Sequence, residues 1–163
     1  MIRVQEVAPQ IDAGPLLSGA QFIDAVRIDR EGRAIDARHA AERMLSHPPT
    51  WIEALLTLRG VLVAPFGLKA SGKDENPRRE TIGRFPILTQ TPERLVAGFD
   101  DKHLDFRVVI DVAAARTVSE GGQQVTATTL VKTHNLFGRI YLAIILPFHR
   151  VIAPAMLRKV AVG

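Results

Sequence analysis

From Asn135 to about Val160 the chain runs as one long, apolar, helix-like segment, and this segment limits what the rest can be. Phe137, Ile140, Tyr141, Ile144, Phe148, Ile152 and Met156 recur at spacings of three and four, which places them along one side of a helix. Arg139, Ala143, Arg150 and Arg158 fall on the opposite side. A helix that crosses a bilayer needs about 20 apolar residues. Here Arg139, His149 and Arg150 bracket only residues 140–148, so a membrane span is not expected. The segment reads instead as a core helix that must be covered by something else. Pro147 and Pro154 each remove a backbone donor, so the helix is expected to be interrupted, with a kink or break near Pro147.

The cover is legible upstream. Residues 103–113 alternate: Leu104, Phe106, Val108 and Ile110 face one side, and His103, Asp105, Arg107, Val109 and Asp111 face the other. Strands are also expected over 21–28, 85–90, 94–99 and 123–133. The last is rich in β-branched residues. The short connections between successive strands imply antiparallel pairing. Between the first strand and the others, Asp36 is placed to cap a helix reaching about Ser46. Thr50 is placed to cap a second helix, with Glu53 at the capping-box distance. Trp51, Ile52, Leu55, Leu56 and Leu58 would supply that helix's core face. Residues 1–19 read as an extended lead-in and 67–80 as a polar surface loop. The expected architecture is α+β and helix-grip-like: a curved antiparallel sheet on a long C-terminal helix, with two short helices after the first strand. One domain is expected over residues 1–163.

Composition narrows the function classes. Cys is absent, which excludes a disulfide framework, a thiolate metal site and a cysteine nucleophile. It also fits a reducing, cytoplasmic location. The N-terminus lacks the apolar run of a signal peptide. The formal net charge of +4 comes from 21 basic against 17 acidic residues, and the two signs are interleaved. With one Trp and one Tyr, stacking platforms for bases are scarce, so no nucleic-acid partner is expected.

Two strings carry a resemblance. Asp100-Asp101-Lys102-His103-Leu104-Asp105-Phe106-Arg107-Val108 is one; the other is His134-Asn135-Leu136-Phe137-Gly138-Arg139-Ile140-Tyr141, continued by Pro147-Phe148-His149-Arg150. Together they resemble a bacterial family, domain of unknown function 2867, over about residues 20–160. The order of elements also looks like the helix-grip fold of the START-like lipid-transfer and polyketide-cyclase (SRPBCC-like) superfamily. The resemblance implies a fold and a ligand-binding pocket. It supplies no catalytic residues to carry over.

No single motif names a chemistry. Gly67-Leu68-Lys69-Ala70-Ser71-Gly72-Lys73 fits the first seven positions of a phosphate-binding loop. The eighth position is Asp74, where a hydroxyl should ligate magnesium, so the stretch reads as a solvated loop and no cofactor is expected. No Gly-x-Ser-x-Gly elbow appears. His103, Asp105 and Arg107 share one strand face, and His134 ends the last strand, close enough to approach Asp105 if those strands pair. Such a group could hold a catalytic imidazole or a divalent metal. The competing reading is a solvent-facing ladder of opposite charges, and no metal is assigned. Tyr141 and His149, on the terminal helix, are candidate polar contacts for a ligand in the gap between helix and sheet.

Three functions follow. The first is binding of a small hydrophobic or amphipathic molecule, with His103, Asp105, Arg107, His134, Tyr141 and His149 as candidate contacts. The second is an enzyme of cyclase or dehydratase type, or an accessory to a nucleotide-dependent oxidoreductase. The third is a protein-interaction module, a homodimer included.

Overall fold

The structure is a computed structural model that describes residues 3–66, 80–115 and 121–161. The strands are β1 (Val4–Val7), β2 (Phe22–Arg30), β3 (Thr81–Ile82), β4 (Phe85–Gln90), β5 (Arg94–Asp100), β6 (Leu104–Ala114) and β7 (Gln123–Thr133). The helices are α1 (Ala13–Leu16), α2 (Ala37–Leu45), α3 (Thr50–Val63) and α4 (Leu136–Ala161), with a single 3-10 turn at Ala64–Phe66. The strands form one antiparallel sheet in the order β1-β2-β7-β6-β5-β4-β3. A register shift in β4 between Ile87 and Thr89 lets that side of the sheet bend. The protein is therefore an α+β domain: a curved antiparallel sheet carrying a long C-terminal helix, in an arrangement compatible with a helix grip.

The alternation along β6 sorts as the sequence implies. Val108, Ile110 and Val112 join Val26, Ile28, Val125 and Ala127 beneath α2 and α4. Val109 packs on the opposite face with Val96 and Leu130. The lead-in is more structured than expected. Val4–Val7 adds an edge strand to β2. Ile11, Ala13, Leu16 and Leu17 then lie over the outer face of the sheet and cover the apolar centre formed by Val96, Val109 and Leu130.

Asp36 caps α2 as its sequence position suggests. Its carboxylate accepts from the His39 backbone N–H at 2.8 Å, and this bond, ahead of the His39 ring, holds the carboxyl below its ordinary pKa. Thr50 is the first residue of α3 rather than its cap. Trp51 is half exposed, contrary to the expectation that it is core, whereas Ile52 is buried as expected. Trp51, Leu58 and Val61 face outward. The side chains of Leu55 and Leu56 lie outside the described residues, as does the phosphate-loop-like stretch 67–73.

α4 departs from expectation twice. It runs unbroken through Pro147 and Pro154. Pro147 and Ala143, the residue whose carbonyl loses its donor, are both exposed, so water can satisfy the freed group. The buried face overlaps the one read from the sequence only in part: Tyr141, Ile152 and Met156 do turn inward. Ile140, Ile144 and Phe148 are exposed. The side toward the sheet carries Tyr141, Ile145, His149, Ile152 and Met156.

Candidate functional site

The elements leave a hollow. α4 is pinned at its start, where Asn135 Oδ1 accepts from the Gly138 N–H at 2.9 Å and caps the helix. Gly138 lies so close to β6 that a Cβ there would come within 2.2 Å of the His103 carbonyl oxygen. The helix is pinned again at its C-terminal end, where Ala153, Met156, Leu157 and Val160 are buried with α2 in the main core. Between these two anchors α4 stands off the sheet over a cavity of about 370 Å³.

The sheet side of the cavity is aromatic. Phe85, Phe99 and Phe106 sit at matching pleat positions on β4, β5 and β6, with ring centroids 5.3 to 6.3 Å apart. All three rings line the cavity, as does Phe22 from β2. Leu142, Ile145 and Leu146 of α4 close it from the other side. The polar lining is sparse: Ser46, Glu53, Arg84, Thr129, Tyr141 and His149.

His149 is the best-defined polar group in this apolar surround. Its Nε2 lies 3.2 Å from Asp24 Oδ2 on β2. Its ring meets Phe22 edge-on, with centroids 5.9 Å apart. Burial pushes its pKa below the ordinary histidine value, and the Asp24 carboxylate opposes that shift only in part. The neutral ring is therefore favoured near neutrality. A neutral imidazole that donates Nε2–H to Asp24 carries its lone pair on Nδ1.

The six residues singled out from the sequence separate into two groups. Tyr141 and His149 line the cavity. Asp105 and Arg107 point away from it, on the outer face of the sheet, and His134 extends β7 beside them. His134 Nε2 lies 2.9 Å from Asp105 Oδ1, so the expected approach through paired strands occurs. Arg107 pairs with Asp100 at 2.8 Å and also donates to the Phe99 and Phe106 carbonyls. Arg94 grips Asp111 through two contacts of 2.6 and 3.1 Å on the same face. These pairs form a ladder of opposite charges on the outer face, in which the Arg107 and Asp105 side chains are only 13% and 15% exposed. His103 sits in the turn before β6. Its Nδ1 is 2.9 Å from Asn135 Nδ2, and its ring packs on Phe137 at 4.6 Å. Among the described residues no group of three His, Asp or Glu side chains is placed to hold a metal ion.

Sequence reasoning missed Asp24, Thr129 and the aromatic wall. The wall was within reach, because Phe85, Phe99 and Phe106 each fall on the inward phase of their strands. Asp24 was not, because its partner is distant in sequence and lies on the opposite layer.

A comparison with curated proteins finds no match. Among solved structures, a structural-genomics protein from Rhodobacter sphaeroides is similar over 98% of this chain and 96% of its own, with 14% identity and a TM-score of 0.40. The family described as "Protein of unknown function (DUF2867)" matches residues 16–156, spanning every element from β2 to the buried part of α4, and the chain belongs to that family.

Proposed function

We propose that the domain holds a small hydrophobic or amphipathic molecule between its sheet and α4. The observation that carries this reading is the cavity of about 370 Å³ bounded by four phenylalanines of the sheet and by the apolar side of α4. Ligand sites are mostly apolar concavities of about 300–1,000 Å³ with a few placed polar groups. Tyr141 and His149 are such groups, and they would orient a carbonyl, hydroxyl or similar head. The helix-grip frame of lipid-transfer and polyketide-cyclase-like proteins fits this reading, and the absence of Cys fits a reducing, cytoplasmic setting.

The test uses N-phenyl-1-naphthylamine, a neutral dye that fluoresces in apolar surroundings. The full chain should bind it saturably with one site, and Ile145→Phe should weaken binding by tenfold or more by filling the cavity. Non-saturable binding, or binding that Ile145→Phe leaves intact, would refute the proposal.

A second reading, catalysis of proton transfer, is favoured by the His149–Asp24 pair. A neutral imidazole held by a carboxylate in an apolar site is a competent base. With a turned-over substrate in hand, His149→Gln should lower kcat while leaving dye binding intact.

A further inference from the structure

The side of α4 turned away from the cavity is itself apolar. Leu136, Ile140, Ile144, Phe148 and Val151 project outward, and their exposures run from 47% at Phe148 to 68% at Leu136. At about 100° per residue these positions form a continuous ridge, which from Leu136 to Val151 is roughly 22 Å long. Large contiguous apolar surfaces on folded proteins mark places where something docks.

The charges around the ridge indicate what docks there. Arg139 and Arg150 are exposed, and by helical phase they fall together along one edge of the ridge. Arg158 is exposed beyond Val151, in the phase of the ridge itself, and α4 contains no Asp or Glu. No acidic residue follows Glu120 anywhere in the chain. A ridge of this composition pressed on an antiparallel second copy would set arginine edges of like charge near one another, and no acidic residue of α4 would meet them in either orientation. Pressed on an anionic lipid surface, the same arginines meet phosphate while the aliphatic side chains enter the acyl boundary.

By length and composition alone α4 could cross a membrane. Its other side, however, forms one wall of the cavity and joins the main core through Ala153, Met156, Leu157 and Val160. A spanning arrangement would strip that cover from the sheet. The geometry that keeps both faces satisfied lays the helix in the plane of the interface.

We propose that the exposed ridge of α4, from Leu136 to Val151, docks peripherally on anionic membranes. Phe148 is half exposed on the ridge side and also lines the cavity, so the docked face adjoins the space where an apolar molecule would sit. The docking itself does not require the cavity to be occupied.

The experiment is co-sedimentation of the full chain with vesicles of phosphatidylcholine alone and of phosphatidylcholine mixed with phosphatidylglycerol. Binding should be confined largely to the anionic vesicles and should weaken as salt rises. Replacing Arg139 or Arg150 with Gln should cost about fivefold each, the factor that corresponds to one cation near an anionic surface. Ile144→Glu should abolish sedimentation while leaving the far-ultraviolet spectrum and N-phenyl-1-naphthylamine binding unchanged, which separates this proposal from the cavity reading. Three outcomes would overturn it: no vesicle binding, equal binding to both compositions, or an Ile144→Glu variant that still sediments. A dimer by light scattering that Ile144→Glu disperses would likewise overturn it and assign the ridge to a second copy.

Discussion

His149 shows how one buried ring ties stability to pH. Its folded-state pKa lies below the ordinary histidine value of about 6.5 because burial disfavours the imidazolium more than Asp24 favours it. The unfolded chain therefore binds a proton more readily than the folded one as the pH falls below about 6.5. Stability from this group is fully present above that pH and is lost progressively below it, toward the depressed folded value. His149→Gln keeps an amide donor for Asp24 and cannot titrate. Thermal unfolding followed from pH 7.5 down to pH 5 should show the wild type losing Tm more steeply than the variant. Parallel curves would mean that the ring is not desolvated as placed. The other histidines remain in both proteins and cancel in the comparison.

Gly138 sets the distance between α4 and the sheet. Alanine is normally the better helix former by about 1 kcal/mol. Here the added Cβ would meet the His103 carbonyl oxygen at 2.2 Å and its carbonyl carbon at 3.1 Å. The obstacle is backbone and cannot swing aside. Overpacking of this kind costs about 1–3 kcal/mol, so the clash outweighs the propensity and Gly138→Ala should be a net destabiliser by about 1 kcal/mol. The check is a lowered urea midpoint at unchanged m value; a raised midpoint would show that the helix start is free to move. The elements themselves were largely legible: β4 and β7 match their expected ends, and Asp36 announced α2. The orientation of α4 was not, because residues 140–148 are apolar on every side and periodicity cannot choose a face. Packing chose it, burying the side that carries Tyr141, Ile145 and His149. Trp51 misled for a related reason, since α3 is so apolar that Trp51 and Ile52 were equally plausible core residues. Two of the six candidate residues, Tyr141 and His149, reached the cavity because they lie on the side of α4 that packing turned toward the sheet. Asp105, Arg107 and His134 obeyed strand alternation and fell on the outer face.

At the scale of the whole molecule the space between the layers sets close packing against access for a ligand. Ile145→Phe tests that balance without knowledge of any ligand. Ile145 projects from the middle of α4 into the cavity and is only partly buried. In a close-packed interior the larger ring would force neighbours apart and cost about 1–3 kcal/mol. In a cavity of about 370 Å³ it meets no such resistance, and it can join Phe85, Phe99 and Phe106 in contacts worth roughly 0.5–1.5 kcal/mol per aromatic pair. The expected result is stability equal to the wild type or up to about 1 kcal/mol greater, read from urea unfolding, together with loss of dye binding. This is the signature of a site kept open at the expense of stability. A variant that loses 2 kcal/mol would show instead that the layers collapse onto each other, and both the ligand reading and the isolated position of His149 would go with it.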